Sequence, residues 1–222
     1  EITLGLSGDE PIGQGLFLFY GYFIDFTFPG DYNKKNDTKR SDPMRTISYE
    51  KYLDKVTGCF IGKAISGNIG APHEGVKMPL ALPFMQEMIN PDLPNDDLDL
   101  QICWLNAAEQ YGKAVNAEVL AEFWVNYVVA DWSEYGAGKN NLRYGILPPL
   151  SGWYKNHNKD SCGCFIRSEI WACLNPGQPQ QAVKYAYEDA CVDHADEGVY
   201  GEVFIAAMES AAFVESDKFK LI

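Results

Sequence analysis

Three aspartates stand within four positions of the segment PNDDLDLQ, residues 94–101. They are Asp96, Asp97 and Asp99, and an apolar run with helical spacing follows them directly. Carboxylates this close repel one another unless water, a helix N-terminus or a bound cation offsets the repulsion. Mg²⁺ and Ca²⁺ bind clustered oxygen ligands, often several from one short segment and others from a distant one. The segment therefore predicts a cation site, with a solvated helix start as the alternative.

The element that must position these aspartates is a helix. Apolar residues recur at three- and four-residue spacing, which predicts one buried face. The residues of that face are Leu98, Ile102, Leu105 and Ala108. Asn95 is a favourable N-cap, so we expect the helix to begin there. Free N–H groups and the helix dipole favour carboxylates in the first turn, which explains one or two acids without any function. Adjacent side chains point in different directions, so three acids cannot all serve as caps.

Helical spacing continues over most of the chain beyond residue 45. Gly58 and Gly62, four residues apart, predict a close approach by another helix. Residues 1–30 are rich in aromatic residues with partial alternation, which predicts one or two strands, and the polar residues 31–45 predict a linker. Strands do not alternate with helices, which argues against a parallel sheet. We predict a mostly α fold with a β-rich N-terminal segment plus linker at 1–45 and a helical domain at 46–222. An alternative for the aromatic segment is a carbohydrate-binding β domain.

The composition excludes several function classes. The chain has 222 residues and a formal net charge of −13, which argues against a nucleic-acid partner because phosphate binding needs clustered Lys and Arg. No apolar run is long enough to span a bilayer, so we expect a soluble protein without a membrane partner. The six cysteines match no common zinc spacing and are expected to be reduced core residues. The sequence begins with Glu1 rather than Met, so we expect that an upstream segment was cleaved or is missing. The localisation stays open between cytoplasmic and secreted or periplasmic.

Glycine, asparagine and aromatic residues are concentrated in residues 134–157, which predicts a loop. Glycines permit close approach of a ligand to the backbone, and aromatic rings can stack on an adenine. Gly136, Gly138 and Asn141 are therefore candidate substrate-binding residues, and the alternative is a well-packed connecting loop. Arg167 lies in an apolar segment, where a buried guanidinium needs an acidic partner, and a structural role is favoured over a functional one.

Four short motifs occur in order along the helical part of the chain. They are SGNIGAPHEG at 66–75, NDD at 95–97, SCGCFIRSEIWA at 161–172 and DACVDHADEGVYGEVFIAA at 189–207. Their sequence and order resemble the ADP-ribosylglycohydrolase family, the group that includes dinitrogenase-reductase-activating glycohydrolase. The residues that carry the resemblance are Gly70, Ala71, Pro72, Glu74, Gly75, Asp96, Asp97, Gly163, Arg167, His194 and Gly198. Through the third and fourth motifs, the resemblance implies that Gly163 and His194 contact the substrate.

The resemblance implies an all-helical bundle whose active cleft lies at helix ends and loops. It also implies two divalent cations, usually Mg²⁺ and alternatively Mn²⁺, and hydrolysis of the bond that joins ADP-ribose to a protein side chain or a small-molecule acceptor. By this resemblance Asn95, Asp96 and Asp97 are the metal ligands, with the Asn95 amide oxygen in place of a Thr or Ser hydroxyl. Asp97 and Glu74 are the catalytic candidates, with Glu74 as the base. Fixed negative charge and an activated water suit an oxocarbenium-like transition state.

Two features depart from the family pattern. Ser66 and Gly67 stand where the family has Gly-Asp, so one acid is missing. No Gly-Asp-x-Asp-Thr/Ser motif follows the His194 segment, and SGDE at residues 7–10 lacks the second aspartate and the hydroxyl residue. Half of the expected two-metal site is thus absent. The alternative to a catalytic enzyme is a fragment of a longer protein, or a non-catalytic member that acts as a binding or structural module.

Overall fold

The computed structural model describes residues 2–4, 14–19, 22–27, 45–81, 90, 92 and 94–222. Two antiparallel strand pairs precede the helices. β1 (Ile2–Leu4) pairs with β4 (Arg45–Ile47), and β2 (Gln14–Phe19) forms a hairpin with β3 (Tyr22–Thr27). Residues 31–44 of the predicted linker lie outside the described residues, and so do residues 7–10, the SGDE segment. The division at residue 45 stays a prediction.

The rest of the described chain is helical, which confirms the mostly α fold. The helices are α1 (Tyr49–Gly70), α2 (Asp96–Tyr111), α3 (Ala117–Tyr127), α4 (Ser133–Arg143), α5 (Leu150–Trp153), α6 (Glu169–Leu174), α7 (Pro179–Ala190), α8 (Glu197–Ala211) and α9 (Lys218–Leu221). Short 3₁₀ turns follow α1 and α2 and precede α6, at Ala71–His73, Gly112–Ala114 and Phe165–Arg167. Within these described ranges, no helix is both long and apolar enough to cross a bilayer.

Capping residues fix several helix starts. The Ser48 hydroxyl accepts a hydrogen bond from the Lys51 amide at 3.3 Å, and the Asn116 side chain accepts one from the Val119 amide at 3.0 Å. These bonds satisfy amides that have no partner within the helix. Asn95 occupies the N-cap position of α2, as predicted, but its side chain makes no capping bond. Its amide group is therefore not used to begin the helix.

The main core gathers the inner faces of α2, α3, α6 and α7. Trp104 and Trp124 meet edge to face with ring centroids 5.6 Å apart, and both are fully buried. The predicted buried face of α2 is wrong at Ile102, which is 65% exposed. The inner residues of α2 are Leu100, Gln101, Trp104, Ala107 and Ala108. Burying the large Trp104 ring removes more apolar surface from water than burying Ile102, so the helix turns that side inward.

Helix α1 packs on a second, smaller core. Its Tyr52 and Val56 lie with Ile47 of β4, Cys173 of α6 and Phe213, and the Tyr52 and Phe213 rings stack 5.6 Å apart. The close helix approach predicted at Gly58 and Gly62 is wrong. No described atom comes within 4 Å of a Cβ placed at either glycine. The buried side of α1 is therefore its Tyr52–Val56 face.

Candidate functional site

The start of α2 places the two neighbouring aspartates in different surroundings. Asp96 is exposed, whereas the Asp97 side chain is 28% exposed and faces α1. Its Oδ2 atom lies 3.8 Å from Lys63 Nζ. Burial raises the pKa of Asp97, the Lys63 ammonium opposes that rise, and the carboxylates of Asp96 and Glu74 add to it. Glu74 is thus close enough to Asp97 for the two charges to interact, although the residues come from different segments.

A small polar network beside Asp97 joins α1, α2 and α6. Lys63 Nζ donates to Glu169 Oε1 at 2.8 Å, which fixes the ammonium between α1 and α6. Gln101 Nε2 donates to Glu169 Oε2 at 2.9 Å and to the backbone oxygen of Asp97 at 3.1 Å. Burial raises the pKa of Glu169 against the lowering effect of Lys63. Gln101 thus links the backbone of the first turn of α2 to Glu169 of α6, which also binds Lys63 of α1.

The sequence patterns did not identify Lys63, Gln101 and Glu169 as site residues. Gln101 stands four residues after Asp97 on the same helix face, so helical spacing could have identified it. Glu169 comes from a separate helix, and no local pattern links it to the aspartates. Glu169 lies inside the third motif, two residues after Arg167, and that motif was the feature that drew attention to this segment.

The replacement at Gly67 has a structural reason. A Cβ placed at Gly67 of α1 would lie 2.8 Å from Asn95 Nδ2. That distance is too short for a non-bonded contact, so a side chain at position 67 would displace Asn95. The amide at Asn95 is larger than the hydroxyl residue that the resemblance implies there, and Gly67 leaves the room it needs. Next to it on α1, the Asn68 side chain accepts a hydrogen bond from the Asn90 amide at 2.8 Å.

The predicted metal ligands have the right donor atoms for a divalent cation, but they do not form a complete coordination site. Asn95, Asp96, Asp97 and Glu74 offer only the oxygen donors that Mg²⁺ and Mn²⁺ prefer. Burial is the main cause of the raised pKa of Asp97, the carboxylates of Asp96 and Glu74 add to it, and a cation would relieve the repulsion among the three. Within the described ranges, however, Glu74, Asp96 and Asp97 do not bring three carboxylate oxygens within 4.8 Å of one another. Such a set would supply only part of the two-metal site that the resemblance implies.

A tighter acidic cluster lies elsewhere and is only partly offset by a lysine. Asp160, Asp196 and Glu197 bring one carboxylate oxygen each within 4.8 Å of the others, and all three residues are exposed. Lys159 Nζ donates to both Asp160 and Asp196. The single ammonium offsets part of the negative charge, and water at the exposed surface screens the rest.

The predicted substrate-binding residues Gly163 and His194 lie together in the interior. His194 is fully buried, with Nε2 3.1 Å from Ser161 Oγ and 3.8 Å from Glu134 Oε1. Its Nδ1 lies 3.0 Å from Asp193 Oδ1. A Cβ placed at Gly163 would lie 2.1 Å from Glu134 Oε1, so only glycine allows that carboxylate to approach. In this conformation His194 does not reach the surface, and Ser161 is the partly exposed residue beside it.

Tyr135 joins the main core to the third motif. Its hydroxyl donates to the Gly163 carbonyl oxygen at 3.2 Å, and its ring lies 5.0 Å from that of Trp124. Burial raises the pKa of Tyr135, and Asp96 is one of the charges that add to this rise. Tyr135 therefore packs the segment that contains Gly163 against α3.

The loop predicted at 134–157 is wrong in its first part, because residues 133–143 form helix α4. Gly136 and Gly138 serve close packing: a Cβ would lie 2.0 Å from the Asp131 oxygen at the first and 2.8 Å from Asp193 Cβ at the second. Asn141 is buried, and its Nδ2 donates to the carbonyl oxygens of Ser151 and Tyr154 at 2.7 Å each. The structure thus uses all three as internal residues, in line with the packing alternative.

Arg167 has the structural role that the sequence favoured. The residue is fully buried, and its guanidinium donates to Asp189 Oδ1 at 2.9 Å and to Asp193 Oδ1 at 2.6 Å. It also donates to the Gly163 carbonyl oxygen at 2.9 Å. Burial by itself raises the pKa of Asp193, but Arg167 and His194 outweigh that effect and hold it below its usual value. Arg167 therefore holds the third and fourth motifs together.

A small apolar hollow lies at the opposite end of α2 from the aspartates. It is lined in part by Ala108, Gly112 and Tyr185. No carboxylate lines this hollow, so it lacks the groups that a glycoside hydrolysis needs.

Comparison with known proteins gives one match. The family described as ADP-ribosylglycohydrolase matches residues 48–221. No curated protein and no solved structure matches. The matched range begins at the N-cap of α1, contains all four motifs, and leaves out the strands β1 to β4.

Proposed function

Because the chain belongs to the ADP-ribosylglycohydrolase family, we propose that it is a glycohydrolase that releases ADP-ribose, or a related ribosyl group, from a protein or small-molecule acceptor with the help of Mg²⁺ or Mn²⁺. The observation that carries this proposal is the environment of Asp97. Its carboxylate is half-buried near those of Asp96 and Glu74 and lies 3.8 Å from Lys63 Nζ. Burial is the main cause of its raised pKa, and the two neighbouring carboxylates add to the rise.

The residues around the start of α2 have separate roles in this reaction. Asn95, Asp96 and Asp97 would hold the divalent cation through their side-chain oxygens. The cation would orient the ribose hydroxyls and lower the pKa of a water molecule. Cleavage of the bond at the anomeric carbon develops positive charge on the ribose, which the net negative charge of the site stabilises. Glu74 is exposed on the turn after α1, where it can accept a proton from an attacking water.

The test measures release of ADP-ribose from ADP-ribosylated arginine, serine and small-molecule acceptors with Mg²⁺, with Mn²⁺ and with a chelator. Asp97→Asn keeps the shape of the side chain but removes its charge, and we expect it to lower the rate by about 100-fold or more. Asp99→Asn is the matched control, because Asp99 lies in the same helical turn and is exposed. Equal rates for the two variants, or activity that a chelator leaves unchanged, would contradict the proposal.

A second candidate is a non-catalytic binding module. The Lys63–Asp97 contact favours it, because the ammonium already supplies positive charge at the carboxylate that a metal would occupy. This candidate predicts that ADP-ribose binds equally well with and without Mg²⁺ and that no acceptor is released. Calorimetric titration of the protein with Mg²⁺ and with ADP-ribose separates the two functions.

A further inference from the structure

Two cysteines from different helices lie at the same contact between α1 and α6. Cys59 lies on α1 and is partly exposed, and Cys173 lies on α6 and is 4% exposed. Cys59 packs against the small core that contains Cys173. One turn along each helix, Lys63 Nζ and Glu169 Oε1 are 2.8 Å apart, which places Cys59 opposite Cys173. The Tyr52 hydroxyl donates to the Cys173 carbonyl oxygen at 3.0 Å, which holds the backbone of α6 against α1.

The two thiols differ in exposure and in pKa. The neighbouring Cys173 thiol lowers the pKa of Cys59, and Lys63 lowers it further, against the raising effects of burial and Glu169. The Cys59 thiol and burial raise the pKa of Cys173. Thiolates are the attacking species in thiol chemistry. The partly exposed Cys59 is therefore the attacking group and the buried Cys173 the second, resolving group.

The remaining buried cysteines are engaged differently. The Cys164 thiol donates to the Gly198 carbonyl oxygen at 3.1 Å, and the Cys191 thiol donates to the Glu188 carbonyl oxygen at 3.6 Å. Burial raises the pKa of Cys164, and it raises that of Cys191 to about 12. These two thiols thus have the properties of inert core residues.

We propose that Cys59 and Cys173 are a redox-active dithiol that reacts with small-molecule disulfides of the glutathione type to form a disulfide between α1 and α6. The Cys59 thiolate attacks one sulfur of the oxidant, forms a mixed disulfide and releases one thiol. Cys173 gives up its proton and displaces the second thiol from Cys59. One oxidised disulfide is reduced to two thiols, and the protein loses two hydrogen atoms.

The new bond would form next to the polar network beside Asp97. Lys63 stands one helical turn after Cys59 on α1, and Glu169 stands one turn before Cys173 on α6. These two residues already form an ion pair of 2.8 Å across the same helix contact. Oxidation would add a covalent link to the contact that orients Lys63 toward Asp97. The formation of the disulfide does not depend on the proposed function.

The experiment treats the reduced, folded protein with an excess of oxidised glutathione, alkylates the free thiols, and maps unreduced peptides by mass spectrometry. We expect a peptide that joins Cys59 to Cys173, two fewer alkylated thiols, and full reversal by a reductant. A Cys162→Ser background removes the exposed thiol, which would otherwise take up glutathione by itself.

Two variants make the outcome specific. In Cys59→Ser, no cross-link forms and Cys173 stays unmodified because it is buried. In Cys173→Ser, we expect a stable mixed disulfide between Cys59 and glutathione, with near-ultraviolet circular dichroism as the check that this variant is folded. The proposal is overturned if Cys59 of the folded parent protein keeps glutathione without forming the cross-link, or if Cys59 stays unmodified while Cys162 of the unsubstituted protein reacts.

Discussion

At the scale of single residues, Glu209 on α8 is a carboxyl group whose raised pKa makes the stability of the fold depend on pH. Its Oε2 accepts a hydrogen bond from Ser168 Oγ at 3.1 Å. Burial, together with the nearby Glu169 and Cys59, raises the pKa of Glu209 to about 8, although Ser168 and Lys63 lower it. In the folded protein this carboxyl is therefore protonated over most of the neutral range.

This shift gives a pH dependence with a definite sign. The unfolded chain releases the Glu209 proton near pH 4.5, and the folded chain holds it up to a pH of about 8. The group therefore stabilises the fold fully below pH 4.5, and that contribution is lost as the pH rises toward 8. We expect Glu209→Gln to reduce the fall in the free energy of unfolding between pH 5 and 8, because an amide does not titrate there.

Urea unfolding of both proteins at several pH values between 5 and 8 measures this effect. Glu109→Gln, at an exposed position of α2, is the control and should keep the slope of the parent protein. An unchanged slope in Glu209→Gln would show that Glu209 is already ionised at pH 5 in the folded state.

How well individual site residues could be predicted depends on how local their partners are. Asp96 and Asp97 were identified from their spacing and from the helix start, both of which lie within a few residues. Lys63 and Glu169 were not, because their hydrogen bond joins helices that are far apart in the sequence. That bond forms part of the surroundings of Asp97, and the spacing of residues along the chain does not predict it.

At the scale of elements, helix starts were easier to predict than helix faces. The start of α2 was correctly predicted at Asn95, although the Asn95 side chain makes no capping bond, whereas Ile102 was wrongly placed on the buried face of the same helix. Helix α4 was missed because its glycines and asparagines have low helix propensity. Tertiary contacts override that propensity: the buried Lys139 donates to the Ala130 carbonyl oxygen at 2.9 Å and pairs with Asp131 at 2.8 Å.

The glycines of α1 and α4 give a matched pair of substitutions. A Cβ at Gly138 would lie 2.8 Å from Asp193 Cβ and 2.9 Å from Asp193 Cα, so Gly138→Ala must push α4 away from residues 192–193. We expect a loss of about 1–3 kcal/mol in the free energy of unfolding, which is the usual cost of overpacking. Gly58→Ala meets no described atom within 4 Å, so its better helix propensity should stabilise by about 0.5–1 kcal/mol.

Denaturant titration of both variants checks these opposite signs. If Gly138→Ala also stabilises the protein, α4 has room to move, and the close contact with Asp193 does not restrain it. If Gly58→Ala destabilises the protein instead, another part of the chain packs on that side of α1.

At the scale of the whole molecule, one buried cation holds the motif-bearing segments around the main core. The Arg167 guanidinium lies over the Trp124 ring at 5.1 Å and over the Trp104 ring at 5.9 Å, which ties it to α3 and α2. The Trp171 ring N–H donates to Asp189 Oδ2 at 2.8 Å, so the same network reaches α6 and α7. For a chain with a net charge of −13, this arrangement places a positive charge where buried carboxylates need it.

Arg167→Met tests whether that charge is required for the fold. The substitution keeps an apolar stem but leaves Asp189 and Asp193 buried without their cation, and we expect the free energy of unfolding to fall by about 3–5 kcal/mol. Arg143→Met is the control, because Arg143 is 45% exposed and water screens its pairing with Asp131, so this variant should lose little stability. Adding Asp189→Asn and Asp193→Asn to Arg167→Met removes the unpaired charges and should recover part of the loss. If the triple variant is no more stable than Arg167→Met, the guanidinium acts through its shape and its contact with the tryptophans, and charge compensation is not what holds the centre of the molecule together.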